Sequence, residues 1–185
     1  MQSLAARTIE NPLFKDRVTF LETTAETEGK RTTLLLEVAP KGGNSLHYHK
    51  TFDEVFTVHE GQLGIQLGKD IFVLEAGERV RVKAGDLHRF FNPSATQTVV
   101  VHVLLDPGHR GMEIGLQVAY GLASEGRTTR QGIPKNRYHM ALLMHWTDTH
   151  IPGVFSLLEP LLRWWRKRAI QKGMDQALVR QYVKF

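Results

Sequence analysis

Short apolar runs, alternating or continuous and each bounded by turn formers, fill the first hundred positions of the chain. Residues 18–23, 32–38, 54–59, 63–67, 71–74, 78–82, 88–92 and 98–105 read as strands rich in β-branched, leucine and aromatic residues. Pro40 with Gly42-Gly43, Gly68-Lys69-Asp70 and Asp106-Pro107-Gly108 supply the punctuation between them. Many short strands at regular spacing predict an all-β domain.

After Gly108 the pattern changes. Residues 112–123 fit a helix, weakened by Gly115 and Gly121. Residues 124–135 are polar and breaker-rich, as in a loop. Residues 138–146 are apolar nearly all round and so predict a buried helix. Residues 161–172 predict a further helix, with Glu159 and Pro160 suited to its start and Gly173 to its end. The chain is therefore expected to be a β domain over 1–108, with a helical extension over 109–185 that is not an independent domain.

Histidines and one glutamate in the strand region form a metal-binding pattern. His47 and His49 share a face on an extended chain, and Glu54 follows after four residues, with Gly61 after six more. Glu54 has the wrong parity to face the same side on a straight strand, so a turn or bulge is required within residues 50–53. Sixteen positions beyond Gly61 comes a second run, Gly77, Gly85, His88 and Asn92. Three imidazoles and one carboxylate suit iron, manganese, nickel, copper or zinc, and leave about two positions open on an octahedral ion. The chain has no cysteine, so thiolate sites, disulfides and thiol catalysis are excluded.

This two-part motif resembles that of the cupin superfamily, over about residues 42–92. The resemblance implies a double-sheet jelly-roll barrel, the RmlC-like cupin fold, holding one divalent transition metal on His47, His49, Glu54 and His88. Two positions depart from the usual pattern. Lys41 stands where a glycine is usual, and Lys83 replaces the usual proline of the second run. Cupin-like proteins include oxygenases, isomerases, lyases and non-catalytic binders, so the resemblance implies a metal-dependent protein acting on a small molecule without selecting the substrate. Oxygenase-like chemistry is the first expectation and isomerase or lyase chemistry the second. The alternative is a non-catalytic sensing or binding module.

Three other residues belong to the same reading. Phe56 and Phe90 lie two residues beyond Glu54 and His88, share their faces and are candidates to line the substrate pocket. His102, in the apolar run 98–105, is a candidate catalytic proton carrier, a core histidine or an outward-facing one. His59, His109, His139, His145 and His150 have no partner at ligand spacing and default to surface or structural roles.

The net charge of +5 gains meaning from its location. Residues 160–185 hold seven basic residues and one acidic, which leaves 17 basic and 18 acidic elsewhere. On a helical wheel Leu158, Leu161, Leu162, Trp165 and Ala169 form an apolar stripe, Trp164 flanks it, and Arg163, Arg166 and Lys167 lie opposite. Packing on the barrel or on a second subunit is the favoured reading, and contact of residues 158–172 with a membrane surface the other. A nucleic-acid partner is not expected, because no clear helix pair around a turn follows the barrel. With no long apolar run and no secretory leader pattern, a cytoplasmic homodimer with a small-molecule ligand is the default.

Overall fold

Strand pairing follows the alternation. The computed structural model describes residues 7–185, in which nine strands precede four α-helices. A six-stranded antiparallel sheet runs in the order β1 (Thr8–Asn11), β2 (Asp16–Glu22), β3 (Thr32–Val38), β9 (Val99–Asp106), β4 (Asp53–Glu60), β7 (Arg79–Val82). A three-stranded sheet places β5 (Leu63–Leu67) between β6 (Asp70–Leu74) and β8 (His88–Phe91). Consecutive chain segments thus cross between two sheets, which is the jelly-roll plan.

The core lies between the sheets. Val18 and Phe20, Leu34, Leu36 and Val38, Phe56 and Val58, and Val99, Val101, Val103 and Leu105 are buried at every second position. Leu63, Ile65 and Val82 complete it from the remaining strands. At roughly 1.5–3 kcal/mol for each fully buried aliphatic or aromatic side chain, this face is the main stabilising element of the barrel.

Residues 47–49, expected to lie on a strand, belong instead to an irregular stretch over residues 43–52. They touch the small sheet through single bridges, Gly43 to Phe91 and His47 to His88, and the extension through Tyr48 to His150. The anticipated change of direction is a bend at Lys50 and Thr51, immediately before β4. Lys41 adopts the left-handed conformation (φ 59°) that glycine accommodates at lower cost. Lys83 uses the backbone N–H that a proline would lack, donating it to Asp86 Oδ2 at 3.1 Å.

The extension contains α1 (Arg110–Ser124), α2 (Arg137–Trp146), a 3₁₀ turn over Gly153–Leu158, α3 (Glu159–Gln171) and α4 (Met174–Tyr182). The glycines of α1 are contact points rather than weak points. A Cβ at Gly115 would stand 2.4 Å from Thr147 Cγ2, and one at Gly121 would stand 2.2 Å from the Tyr182 ring. Val118, Leu122, Leu142, Leu143, Ala169 and Leu178 form a second core among the helices.

Helix α1 also locks onto the barrel. Glu113 is fully buried and accepts hydrogen bonds from Thr24 N–H, the Thr24 hydroxyl and the Thr32 hydroxyl, while Arg110 pairs with its other oxygen at 2.9 Å. Tyr120 donates to Asp16 at 2.8 Å, and Phe185 meets Phe20 edge-on. Glu113→Ala leaves these donors short of an acceptor in a dry site. A loss of about 2–4 kcal/mol is expected in denaturant unfolding, against less than about 1 kcal/mol for an exposed charge removed elsewhere.

Two sequence expectations for the tail need correction. A helix pair around a turn does exist, because Gly173 (φ 67°) links α3 to the unforeseen α4. Its second helix carries only Arg180 as a cation, while Arg163, Lys167 and Arg168 stand on α3. The apolar stripe of α3 is also split. Ala169 is buried and Leu162 and Trp165 are partly covered, but Leu158 and Leu161 face solvent.

Candidate metal centre

The local fold brings the two halves of the motif together. His47 and His88 exchange backbone hydrogen bonds of 2.9 and 2.8 Å, which sets their side chains beside one another. Strand β4 then delivers Glu54 on the same face as Phe56 and Val58. One ligand atom from each of His47, His49, Glu54 and His88 lies within 4.8 Å of all the others. The contacts are 3.1 Å between the Nε2 atoms of His47 and His49, 2.8 Å from His88 Nε2 to Glu54 Oε2 and 3.7 Å from His49 Nε2 to the same oxygen. His49, Glu54 and His88 are buried and His47 is half-buried.

The outer nitrogens decide the chemistry of the inner ones. Each Nδ1 lies against a backbone carbonyl: His47 on Ser45 at 2.7 Å, His88 on Asp86 at 2.9 Å and His49 on Asp148 at 3.1 Å. A carbonyl accepts only, so each Nδ1 carries a proton; His47 and His49 then turn Nε2 lone pairs inward, while His88 Nε2 shares a proton with Glu54 that an ion would displace. This is the second-sphere pattern that orients histidines toward a metal. The donor set therefore fits a divalent transition ion bound by three nitrogens and one carboxylate.

Electrostatics agree. Burial, and then the neighbouring His49 and His88, push the His47 pKa down to about 4. Burial likewise lowers His49. Burial is the largest influence on His88 and opposes its charge, but the hydrogen bond and charge of Glu54, with the carbonyl and charge of Asp86, together outweigh it and raise the pKa. Burial alone would raise Glu54, yet the His88 hydrogen bond and the surrounding imidazoles leave it lowered.

Stability of the metal-free protein should follow these shifts. For His47 and His49 the unfolded chain binds protons first, so their contribution is complete above about pH 6.5. For His47 it drains as pH falls toward about 4. Glu54 acts in the same direction at lower pH, and His88 opposes them. A falling melting temperature on acidification below about pH 6.5 is expected for chelator-treated protein, whereas a flat profile would contradict the assigned protonation states.

The segment after α2 forms part of this centre. Asp148 (φ 48°) offers its carbonyl to His49, while its Oδ2 accepts from Lys50 N–H, Thr51 N–H and the Thr51 hydroxyl at 2.7–2.9 Å. Its Oδ1 meets His150 at 3.0 Å, and His150 reaches on to Glu159 at 3.2 Å. Burial opposes the Asp148 charge, but the donors from Thr51, Lys50 and His150 hold its pKa below the usual value. Phe52 stacks on His49 (4.5 Å between centroids) and also meets His109, tilted, at 4.7 Å. His109 in turn caps α1 by accepting from Met112 N–H. Phe52, Asp148 and His150 are the site residues that sequence reasoning missed.

The other candidates divide. Phe56 is a buried core residue, and Phe90 packs against the core with its ring 5.8 Å from that of Phe56. His102 lies on the opposite face of the large sheet. Its neighbours Val101 and Val103 point inward, its β4 partner is Thr57, and its ring meets His59 at 5.8 Å. A proton-carrying role at the metal centre therefore does not fit His102, because the sheet itself separates it from Glu54.

A jelly-roll barrel with three histidines and one glutamate converging inside it is a metal-type barrel of recognisable class. Residues 34–104 match the family model for the cupin domain, so the barrel is a cupin domain, with helices added at its C-terminal side. The barrel is similar to KdgF from Halomonas sp., with 14 % identity over 52 % of this chain and 83 % of that one and a TM-score of 0.47. It is also similar to an RmlC-like cupin from Shewanella frigidimarina, with 18 % identity over 54 % and 83 % and a TM-score of 0.47. A third similar structure is the polyketide cyclase RemF from Streptomyces resistomycificus, with 22 % identity over 49 % and 64 % and a TM-score of 0.45. No curated protein matches the sequence.

Proposed function

We propose that the protein is a metal-dependent enzyme acting on a small organic molecule, with oxygenase-like chemistry first and isomerase or lyase chemistry second. The observation that carries this reading is the set of three imidazoles held by Nδ1–carbonyl contacts, with their Nε2 atoms aimed at one point beside Glu54. His47, His49, Glu54 and His88 would hold the ion, which supplies Lewis acidity or redox capacity and open positions for a substrate oxygen. Aromatic side chains would form an apolar wall around it. Phe52 covers one face of His49, and Phe90 and Phe56 would exclude water and favour the carbon skeleton of a substrate.

The same reading includes a cytoplasmic location and a homodimer. Half-covered Leu35, Val55, Val100 and Leu104 on the outer face of the large sheet support the homodimer. Among the described residues no helix is long and apolar enough to cross a membrane. The test is oxygen uptake and product analysis with iron-, manganese- or nickel-loaded protein across a panel of small acids and phenols. Turnover lost in Glu54→Ala supports an enzyme. No turnover with any metal, while a panel member still raises the melting temperature, replaces the enzyme by a non-catalytic ligand-binding cupin.

A further inference from the structure

Helix α3 uses only one side to pack. Ala169 enters the helical core, with Leu162 and Trp165 partly covered beside it, and Arg166 donates to His145 at 2.9 Å. The opposite side is uncovered and carries an apolar strip among cations. Leu157, just ahead of the helix, is 76 % exposed, Leu161 40 % and Trp164 49 %. The spacing 161, 164, 168 puts Leu161, Trp164 and Arg168 on one face. Large apolar side chains clustered on an outer helix face, with an indole among them, differ from the scattered single exposures of an ordinary surface.

Charge specifies what would cover this face. Arg163, Lys167, Arg168 and Lys172 are all exposed around the apolar strip, and the guanidinium of Arg168 lies 5.5 Å over the Trp164 ring. Trp164, Lys167, Arg168 and Gln171 border a groove on the same surface. Between Glu159 and Asp175 the chain contains no carboxylate. Glu159 itself is turned away, paired with Lys50 and His150. An interior-type apolar partner would leave four cations unmatched, and an acidic polypeptide would leave the leucines and indole in water. A layer with apolar depth and anionic headgroups at its boundary satisfies both.

We infer that α3 docks the protein on an anionic lipid surface, with Leu157, Leu161 and Trp164 entering the interface and Arg163, Lys167, Arg168 and Lys172 meeting phosphates. This contact is independent of the metal site. Its geometry is nevertheless tied to that site, because the first turn of α3 is bound through Glu159 to His150 and to Lys50, next to His49.

The experiment is co-sedimentation of the intact chain with phosphatidylcholine vesicles, with and without about a third phosphatidylserine. Binding to the anionic vesicles, weakened at about 1 M salt, is expected. Lys167→Ala with Arg168→Ala should lower the partition about 25-fold, since each cation contributes about five-fold. Trp164→Glu should remove binding, and Lys69→Glu on the β5–β6 turn should leave it unchanged. These residues are exposed, and an unaltered melting temperature checks that each variant is folded. The inference is overturned if intact protein stays in the supernatant, or if neutral vesicles bind it equally. It is also overturned if Trp164→Glu instead dissolves a dimer of this chain in lipid-free solution.

Discussion

His88→Ala is expected to deprive the protein of its metal. Protein purified without added metal should carry a transition ion by elemental analysis, and the variant less than about a tenth of that amount. The reason is double. The substitution removes one of four donors, and it leaves Glu54 without the partner that holds it at 2.8 Å. Losing even an outer-sphere partner costs about 10–100-fold in affinity, so loss of an inner one exceeds that. Metal at about a hundred times its dissociation constant stabilises the native protein by about 2.7 kcal/mol. For a chain of this size that corresponds to a rise of about 5–10 °C in melting temperature. The rise should be absent in His88→Ala and His49→Ala. If both variants retain metal and its thermal effect, the four-residue site is wrong.

Asp148 should be the most sensitive position outside the ligands. Asp148→Ala removes the acceptor of two backbone N–H groups and one hydroxyl at the Lys50–Thr51 bend, and of the His150 ring. Water can replace part of this, because the bend is exposed. A destabilisation of about 1–3 kcal/mol is therefore expected. The backbone carbonyl remains but is no longer held against His49, so metal affinity should fall about 10–100-fold. Asp148→Asn keeps an acceptor oxygen and tolerates the left-handed backbone, so it should lose less of both. Equal metal affinity in Asp148→Ala and the parent, by competition with a chromogenic chelator, would show that the extension does not tune the centre.

The sequence made the inner ligands legible because their information is local. His47, His49, Glu54 and His88 sit at characteristic spacings, and the parity of Glu54 already required the bend now seen at Lys50 and Thr51. Asp148 left no such trace. It acts on His49 through a carbonyl, which every residue has, and from 99 positions away. The face of His102 was hidden for another reason. Residues 99–105 are apolar on both sides of the strand apart from His102, so alternation could not reveal which side is the core. On α3 the wheel grouped Leu158 and Leu161 with Ala169, but it cannot know that α2 covers only one flank. Gly173 was read as a stop, whereas its left-handed φ makes a corner into α4.

The His49–Asp148 contact also gives the metal centre an order in time. Every inner ligand has been synthesised by residue 88, but the carbonyl that orients His49 comes sixty residues later. A growing chain could therefore present its four donors before their arrangement is final. Closing a loop of this length is slow relative to local strand pairing. The barrel should accept an ion loosely at first and tighten on it when residues 147–150 settle beside the bend. Metal selection would then be made twice, by a pliable cluster and afterwards by a rigid one.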